Sequence, residues 1–168
     1  MNQDQVRVVV SGSTWLGSGL GSIESALLEI LESAKNEVLI VAYSIGNVAN
    51  LFFETISKLL DQGVRVLIIV NRFDQQHPVV QQRLNHLSGK YRGLVKVLSY
   101  VPSREQADLH AKIIVVDRRT ALVGSANLSL RGLADNHELG IVLTGRAVDD
   151  VVKAVEKLIH SPSLKQVR

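Results

Sequence analysis

His110 and Lys112 stand two residues apart at the head of an apolar run, Ile113 to Val116. In an extended strand, residues i and i+2 project to the same face. An imidazole and an ammonium therefore emerge together from a segment otherwise suited to the core. More polar residues follow at short intervals: Asp117, then Gly124, Ser125 and Asn127 after a second apolar run, then Asn136 and Glu138. The series reads His-x-Lys-x4-Asp-x6-Gly-Ser-x-Asn, followed by Asn-x-Glu.

Each of these side chains has a use at a phosphodiester. A neutral imidazole is a nucleophile or base near neutral pH, and an imidazolium is an acid. Lys112 can neutralise non-bridging phosphate oxygens, and Ser125 and Asn127 can donate hydrogen bonds to them. Glu138 can accept from the second imidazole nitrogen and so fix the tautomer. Gly124 lets backbone approach closely. A lone histidine or lysine at a strand end is ordinarily surface decoration; the combination is what carries the signal.

The elements that must position these residues follow from hydrophobic periodicity. Val6 to Val10, Val38 to Ser44, Val64 to Val70 and Leu94 to Tyr100 read as strands. Ser22 to Lys35 carries its apolar residues on one helical face, with Ser22 as N-cap. Asn47 to Gln62, closed by Gly63, and Pro78 to Leu87 read as two further helices. Lys112 to Val116 and Ala121 to Val123 then form two strands about the turn Asp117 to Thr120. A strand at Leu139 to Leu143, an amphipathic helix at Arg146 to Ile159 and a loosely held tail complete the chain. Strand–helix alternation favours an α/β domain, residues 1–168 as one unit, with a mixed, mostly parallel sheet and helices on both faces. "GSGLGS", Gly17 to Ser22, lacks dinucleotide and Walker spacings and reads as a flexible helix entry.

Composition narrows the function classes. The chain of 168 residues has no cysteine, which excludes disulfides and thiolate metal sites. No apolar run approaches a membrane span, and no signal-peptide pattern opens the sequence. A cytoplasmic protein without stable membrane association is the simple expectation. A net charge of +3 and a pI near 9.3 permit a polyanionic partner. Arg118, Arg119 and Arg131 adjoin the polar series and are candidate nucleic-acid contacts; Lys90, Arg92 and Lys96 form a second basic stretch. Aromatic residues are only 4% of the chain, so base stacking is not advertised; packing is the plainer reading of Trp15 and Tyr91.

The series from Leu109 to Glu138 resembles the HKD motif of the phospholipase D superfamily, above all the single-motif bacterial endonucleases of the Nuc type. "ALLEILESAKNEVLIVAYS" and "LLDQGVRVLIIV" resemble the family's helix–strand units. The resemblance thus covers most of the chain and implies a phospholipase D-like α/β/α sandwich. It implies that His110 is the nucleophile and forms a phosphohistidine, that Lys112 and Asn127 bind phosphate with help from Ser125, and that Glu138 orients the histidine. Asp117, with Gly124 and Asn136, is implied to be structural. His137 is a bystander facing away from Glu138, and His77, His86 and His160 lie outside the motif. No cofactor is implied, and no metal; the sequence has no H-E-x-x-H and no obvious carboxylate cluster.

This chemistry uses two histidines, one attacking phosphorus and one protonating the leaving oxygen. One motif per chain implies a homodimer that pairs two copies of His110 across a two-fold axis. The expected function is a metal-independent phosphodiesterase, a nuclease acting on DNA or RNA. Two alternatives share the motif: a phospholipase D or phosphatidyl transferase acting on phospholipids, and a nuclease-like domain of a larger protein used mainly to bind nucleic acid.

Overall fold

Nine strands and four helices follow one another through the computed structural model, which describes residues 4–46, 49–103 and 107–167. β1 (Gln5–Ser11) and the short β2 (Gly21–Ser22) lead into α1 (Ile23–Glu32), capped by the Ser22 hydroxyl, which accepts from the Ser25 N–H at 3.3 Å. Two strand–helix units follow: β3 (Glu37–Ala42) with α2 (Asn50–Asp61), then β4 (Arg65–Asn71) with α3 (Pro78–Lys90). The expected start of α2 at Asn47 lies outside the described residues. α3 has Pro78 in its first turn, and the His77 ring accepts from the Val79 N–H at 3.2 Å, a helix-end role. β5 (Val95–Tyr100), β6 (Lys112–Val116), β7 (Thr120–Gly124), β8 (Glu138–Thr144), α4 (Ala147–Ile159) and β9 (Leu164–Gln166) complete the fold.

All strands belong to one mixed sheet in the order β2-β1-β8-β7-β6-β3-β4-β5-β9. α1, α2 and α3 cover one face; Leu27, Leu31, Ile56, Leu60 and Leu84 pack there against Val9, Ile40, Ile68 and Ile114. Burying each such side chain contributes about 1.5–3 kcal/mol. α4 covers the other face, where Val148, Val152 and Val155 meet Leu39, Val41, Ile69 and Val115.

The α/β/α arrangement agrees with the expectation, but the balance of strand directions does not. β3, β4 and β5 run parallel, joined by helical crossovers, as does the short β1–β2 pair. The remaining pairs, β1–β8, β8–β7, β7–β6, β6–β3 and β5–β9, are antiparallel, so the sheet is not mostly parallel. The second half of the chain builds its part of the sheet from hairpin-like returns, which reverse direction at each strand. The tail also differs. Leu164–Gln166 pairs with β5, flanked by Val101 N–H to Ser163 O at 2.8 Å and Val167 N–H to Val97 O at 3.0 Å. The ladder groups on the outer side of β5 hold a segment whose own sequence carries no strand pattern.

One end of this sheet gathers the residues of interest. The carboxyl ends of β1, β3, β4 and β7 meet the amino ends of β6 and β8 there. Loops leave the sheet at this end on both sides of β6, the usual position for a ligand crevice in an α/β sheet.

Candidate active site

His110 lies two residues ahead of β6, exposed, and Lys112 is the first residue of that strand. Their side chains meet although only Lys112 belongs to the strand. Lys112 Nζ is 2.8 Å from His110 Nδ1 and 3.4 Å from Nε2, and it donates to the His110 carbonyl oxygen at 2.8 Å. Gly124 is the cross-strand neighbour of Lys112 and presents no side chain against it. A Cβ on Gly124 would meet the Leu139 oxygen at 2.7 Å and the Gly140 Cα at 2.8 Å, so β7 and β8 touch backbone to backbone here.

The loops that follow β3 and β7 meet over the head of β6. Gly46 N–H donates to the Leu128 oxygen at 2.8 Å, within an isolated bridge between Ile45 and Leu128. The Lys112 stem lines a small cavity of about 30 Å³ beneath them, with Leu27, Ile114, Ala126, Leu128 and Leu133. This partial burial holds the Lys112 ammonium below the usual lysine range, and the Glu138 carboxylate pulls the other way. A half-dry cation of this kind gains from a second anion placed against it.

Glu138, the first residue of β8, does not hydrogen-bond to His110. Its Oε2 takes the Ser125 hydroxyl proton in a very short contact, and its Oε1 accepts from Asn136 Nδ2 at 3.3 Å. The Ser125 oxygen also accepts from the Leu139 N–H at 3.2 Å. Two expectations change as a result. The Ser125 proton is engaged with Glu138 and is not aimed at a phosphate. The histidine is flanked by Lys112 and Tyr43, whose ring centroid lies 4.4 Å from that of His110, rather than by Glu138. Glu138 acts instead on Lys112 through the field of its charge.

Asn127 is held by its backbone: its oxygen accepts from the Ser129 N–H at 2.8 Å, and Gly132 packs so closely that a Cβ there would collide with it. Its side-chain Oδ1 is buried without a hydrogen-bond partner. A buried polar atom left unsatisfied costs about 1–3 kcal/mol, which marks Asn127 as a residue whose capacity the chain itself does not use.

The other predicted residues fall in different places. Asp117 sits at the far end of β6, where its carboxylate accepts from the N–H groups of Lys35, Asn36 and Glu37 at 2.8, 2.8 and 2.9 Å. Burial pushes that carboxyl up, but the backbone donors outweigh it and hold it below the ordinary range. Arg118 and Arg119 share this turn and so lie across the length of β6 from His110, not beside it. Arg118 pairs with Glu37 and Glu156, each at 2.6 Å. Arg131 is exposed in the β7–β8 connection, at the end that carries His110. His137 turns away from Glu138: its Nε2 lies 2.6 Å from Thr14 Oγ1, and its ring meets Trp15 edge-on at 5.4 Å.

Tyr43 was not foreseen. Its only signal is an aromatic residue at the carboxyl end of a buried strand run. Among the described residues, no group of three or more His, Cys, Asp or Glu is gathered to hold a metal ion, and no helix is long and apolar enough to cross a membrane.

Comparisons with known proteins bear on the fold and the family. Residues 27–161 match the family model described as cardiolipin synthase, PLD-like domain. The chain is 25% identical over 144 residues to the DISARM protein DrmC of Bacillus paralicheniformis, covering 85% of this chain and 58% of DrmC. It is 29% identical over 138 residues to cardiolipin synthase A of Buchnera aphidicola, covering 82% of this chain and 27% of that enzyme. The chain thus spans less than two thirds of either relative. Its fold matches a phospholipase D family member, Nuc from Salmonella typhimurium, with a TM-score of 0.77 at 18% identity over 99% of both chains.

Proposed function

Because the chain belongs to the family of phospholipase D-like phosphodiesterases, we propose that it cleaves the phosphodiester bonds of nucleic acid through a covalent intermediate on His110. The observation that carries this reading is the Lys112 ammonium held 2.8 Å from an exposed imidazole, at the crevice end of the sheet. A scissile phosphate against Lys112 brings its phosphorus within reach of the imidazole. An imidazole nitrogen attacks, the P–N bond forms as the P–O bond to the leaving group breaks, and water then hydrolyses the phosphohistidine. Lys112 and Asn127 stabilise the charge on the non-bridging oxygens. Ser125 and Asn136 hold Glu138, whose charge opposes the effect of burial on Lys112.

The departing oxygen needs a proton. The second His110 of a homodimer supplies it. Leu139, exposed next to Glu138 in β8, and Val8 and Val6, exposed farther along the paired β1, offer an apolar surface for that second copy. A nucleic-acid substrate fits the basic pI and the end-to-end likeness to Nuc. Recognition is then mainly of phosphate, with steep salt dependence.

A phospholipid substrate is the second reading, and one observation favours it. Leu16 is 82% exposed beside Trp15 and Leu20 on the rim of a hollow at the same end of the sheet. Incubation in excess EDTA with labelled single-stranded DNA, duplex DNA, RNA and phosphatidylcholine vesicles, beside His110→Asn, separates the two. Nucleic-acid cleavage lost in His110→Asn is expected. Cleavage of the lipid alone would reverse the assignment, and turnover only with an added divalent ion would overturn the mechanism.

A further inference from the structure

His110 and Ala111 lie outside the β-ladder, which begins at Lys112, so sheet pairing does not fix them. The chain just ahead of them is held by the end of another strand. Asn71, the last residue of β4, is only 4% exposed. Its Oδ1 accepts from the Leu109 N–H at 2.9 Å. Arg72 follows in a left-handed conformation with φ of 42°, rare for a long side chain, and its Nε donates to Asp108 Oδ1 at 2.7 Å. The Arg72 guanidinium and the Asn71 amide together hold the Asp108 carboxyl below the usual range. Buried Gln76 extends the frame: its Nε2 donates to the Asn71 oxygen at 2.7 Å and the Tyr43 oxygen at 3.0 Å, while its Oε1 accepts from the Ile45 N–H at 3.2 Å. Tyr43 in turn lies against the His110 ring.

One connected set of groups therefore fixes the backbone before His110 and the backbone of Tyr43, whose ring lies beside it. The β4–β5 ladder uses the backbone of Asn71 and leaves its side chain to residues 108 and 109. Backbone strain held in place by surrounding contacts at the mouth of a crevice is the pattern of a functional constraint. We propose that Asn71, seconded by Arg72 through Asp108, is a positioning residue that sets the attack geometry of His110. The inference rests on His110 being the nucleophile. Its physical basis is steep: a misplacement of about 1 Å at a reacting group costs about 100-fold in rate.

The test compares Asn71→Ala with Asp108→Ala. In Asn71→Ala, kcat is expected to fall about 30-fold while KM stays within about threefold. The ring nitrogen resonances of His110, followed by NMR across pH without substrate, should shift. Asp108→Ala, altered at the more exposed side of the same link, should show the same shift and a smaller loss. Unchanged His110 resonances in both alanine variants, or an activity loss no greater than the unfolded fraction, would overturn the proposal. Turnover by His110→Asn would sink the nucleophile assignment separately, since the resonance measurement needs no turnover.

Discussion

At one end of the β6–β7 hairpin, Asp117 accepts three backbone N–H groups and Arg118 pairs with two carboxylates. At the other end, Lys112 leans on His110, and the buried Asn127 oxygen has no partner. The two ends carry similar residues and flank the same buried strands. The turn end uses its hydrogen-bonding and charge capacity internally, and the result is a rigid corner: Asp117 and Arg118 both have positive φ, as a tight hairpin turn requires. The crevice end leaves the Asn127 oxygen unpaired and Lys112 against an exposed imidazole. Polar residues beside a strand are structural or chemical according to how completely the chain satisfies them, and four residues of strand separate the two cases.

Substitutions at the two ends should therefore separate turnover from stability. The largest effect belongs to His110→Asn, with kcat lowered about 10⁴-fold or more at an unchanged melting temperature. Residual turnover near the native rate would dissolve the contrast. Lys112→Met should lower kcat about 100-fold or more and flatten the salt dependence of binding, since it removes the cation that faces phosphate. The turn end should behave oppositely. Asp117→Ala removes charge-assisted hydrogen bonds and should cost about 2 kcal/mol, or about 4–8 °C in melting temperature, with kcat per folded molecule unchanged.

That stability difference has a pH signature. The folded carboxyl of Asp117 lies below its unfolded value. Its stabilisation is thus fully present above the unfolded value of about 3.9. It is lost as pH falls through the folded value. Wild type and Asp117→Ala should converge in acid; a constant gap in melting temperature would show that the carboxylate is not its source. The smallest effect belongs to Arg118→Ala: at most about 1 kcal/mol, because its ion pairs are half exposed. Nucleic-acid binding should not change, whereas Arg131→Ala, at the crevice end, should weaken it. A salt slope altered by Arg118→Ala and not by Arg131→Ala would place the nucleic acid at the wrong end of the sheet.

Much of this arrangement was legible in the sequence. β-branched runs such as Val64 to Val70 announce strands whatever surrounds them, and Ser22 and Pro78 mark helix starts through local chemistry. The meeting of His110 with Lys112 is anticipated by strand periodicity, although His110 lies ahead of the strand itself. Strand direction was less legible, because Val38 to Ala42 reads the same beside a parallel or an antiparallel neighbour. Leu164 to Gln166 is a strand only because β5 offers a ladder. Arg118 misled for a related reason: adjacency along the chain to β6 suggested nearness to His110, yet a strand carries its two ends apart. Ser125 and Glu138 were both foreseen, but not that they would bind each other. Asn71 and Gln76 escaped because polar residues after a strand ordinarily mean solvent, and their targets lie 38 and 31 residues away in the chain.

The central claim is that His110 becomes covalently bound to phosphorus. It is tested most directly by mixing the protein in EDTA with an oligonucleotide radiolabelled at its internal phosphates, quenching in base and mapping the labelled peptide by mass spectrometry. The account predicts an acid-labile, base-stable phosphoryl group on His110, absent from His110→Asn. Rapid cleavage in EDTA with no adduct, or an adduct on another residue, would contradict it.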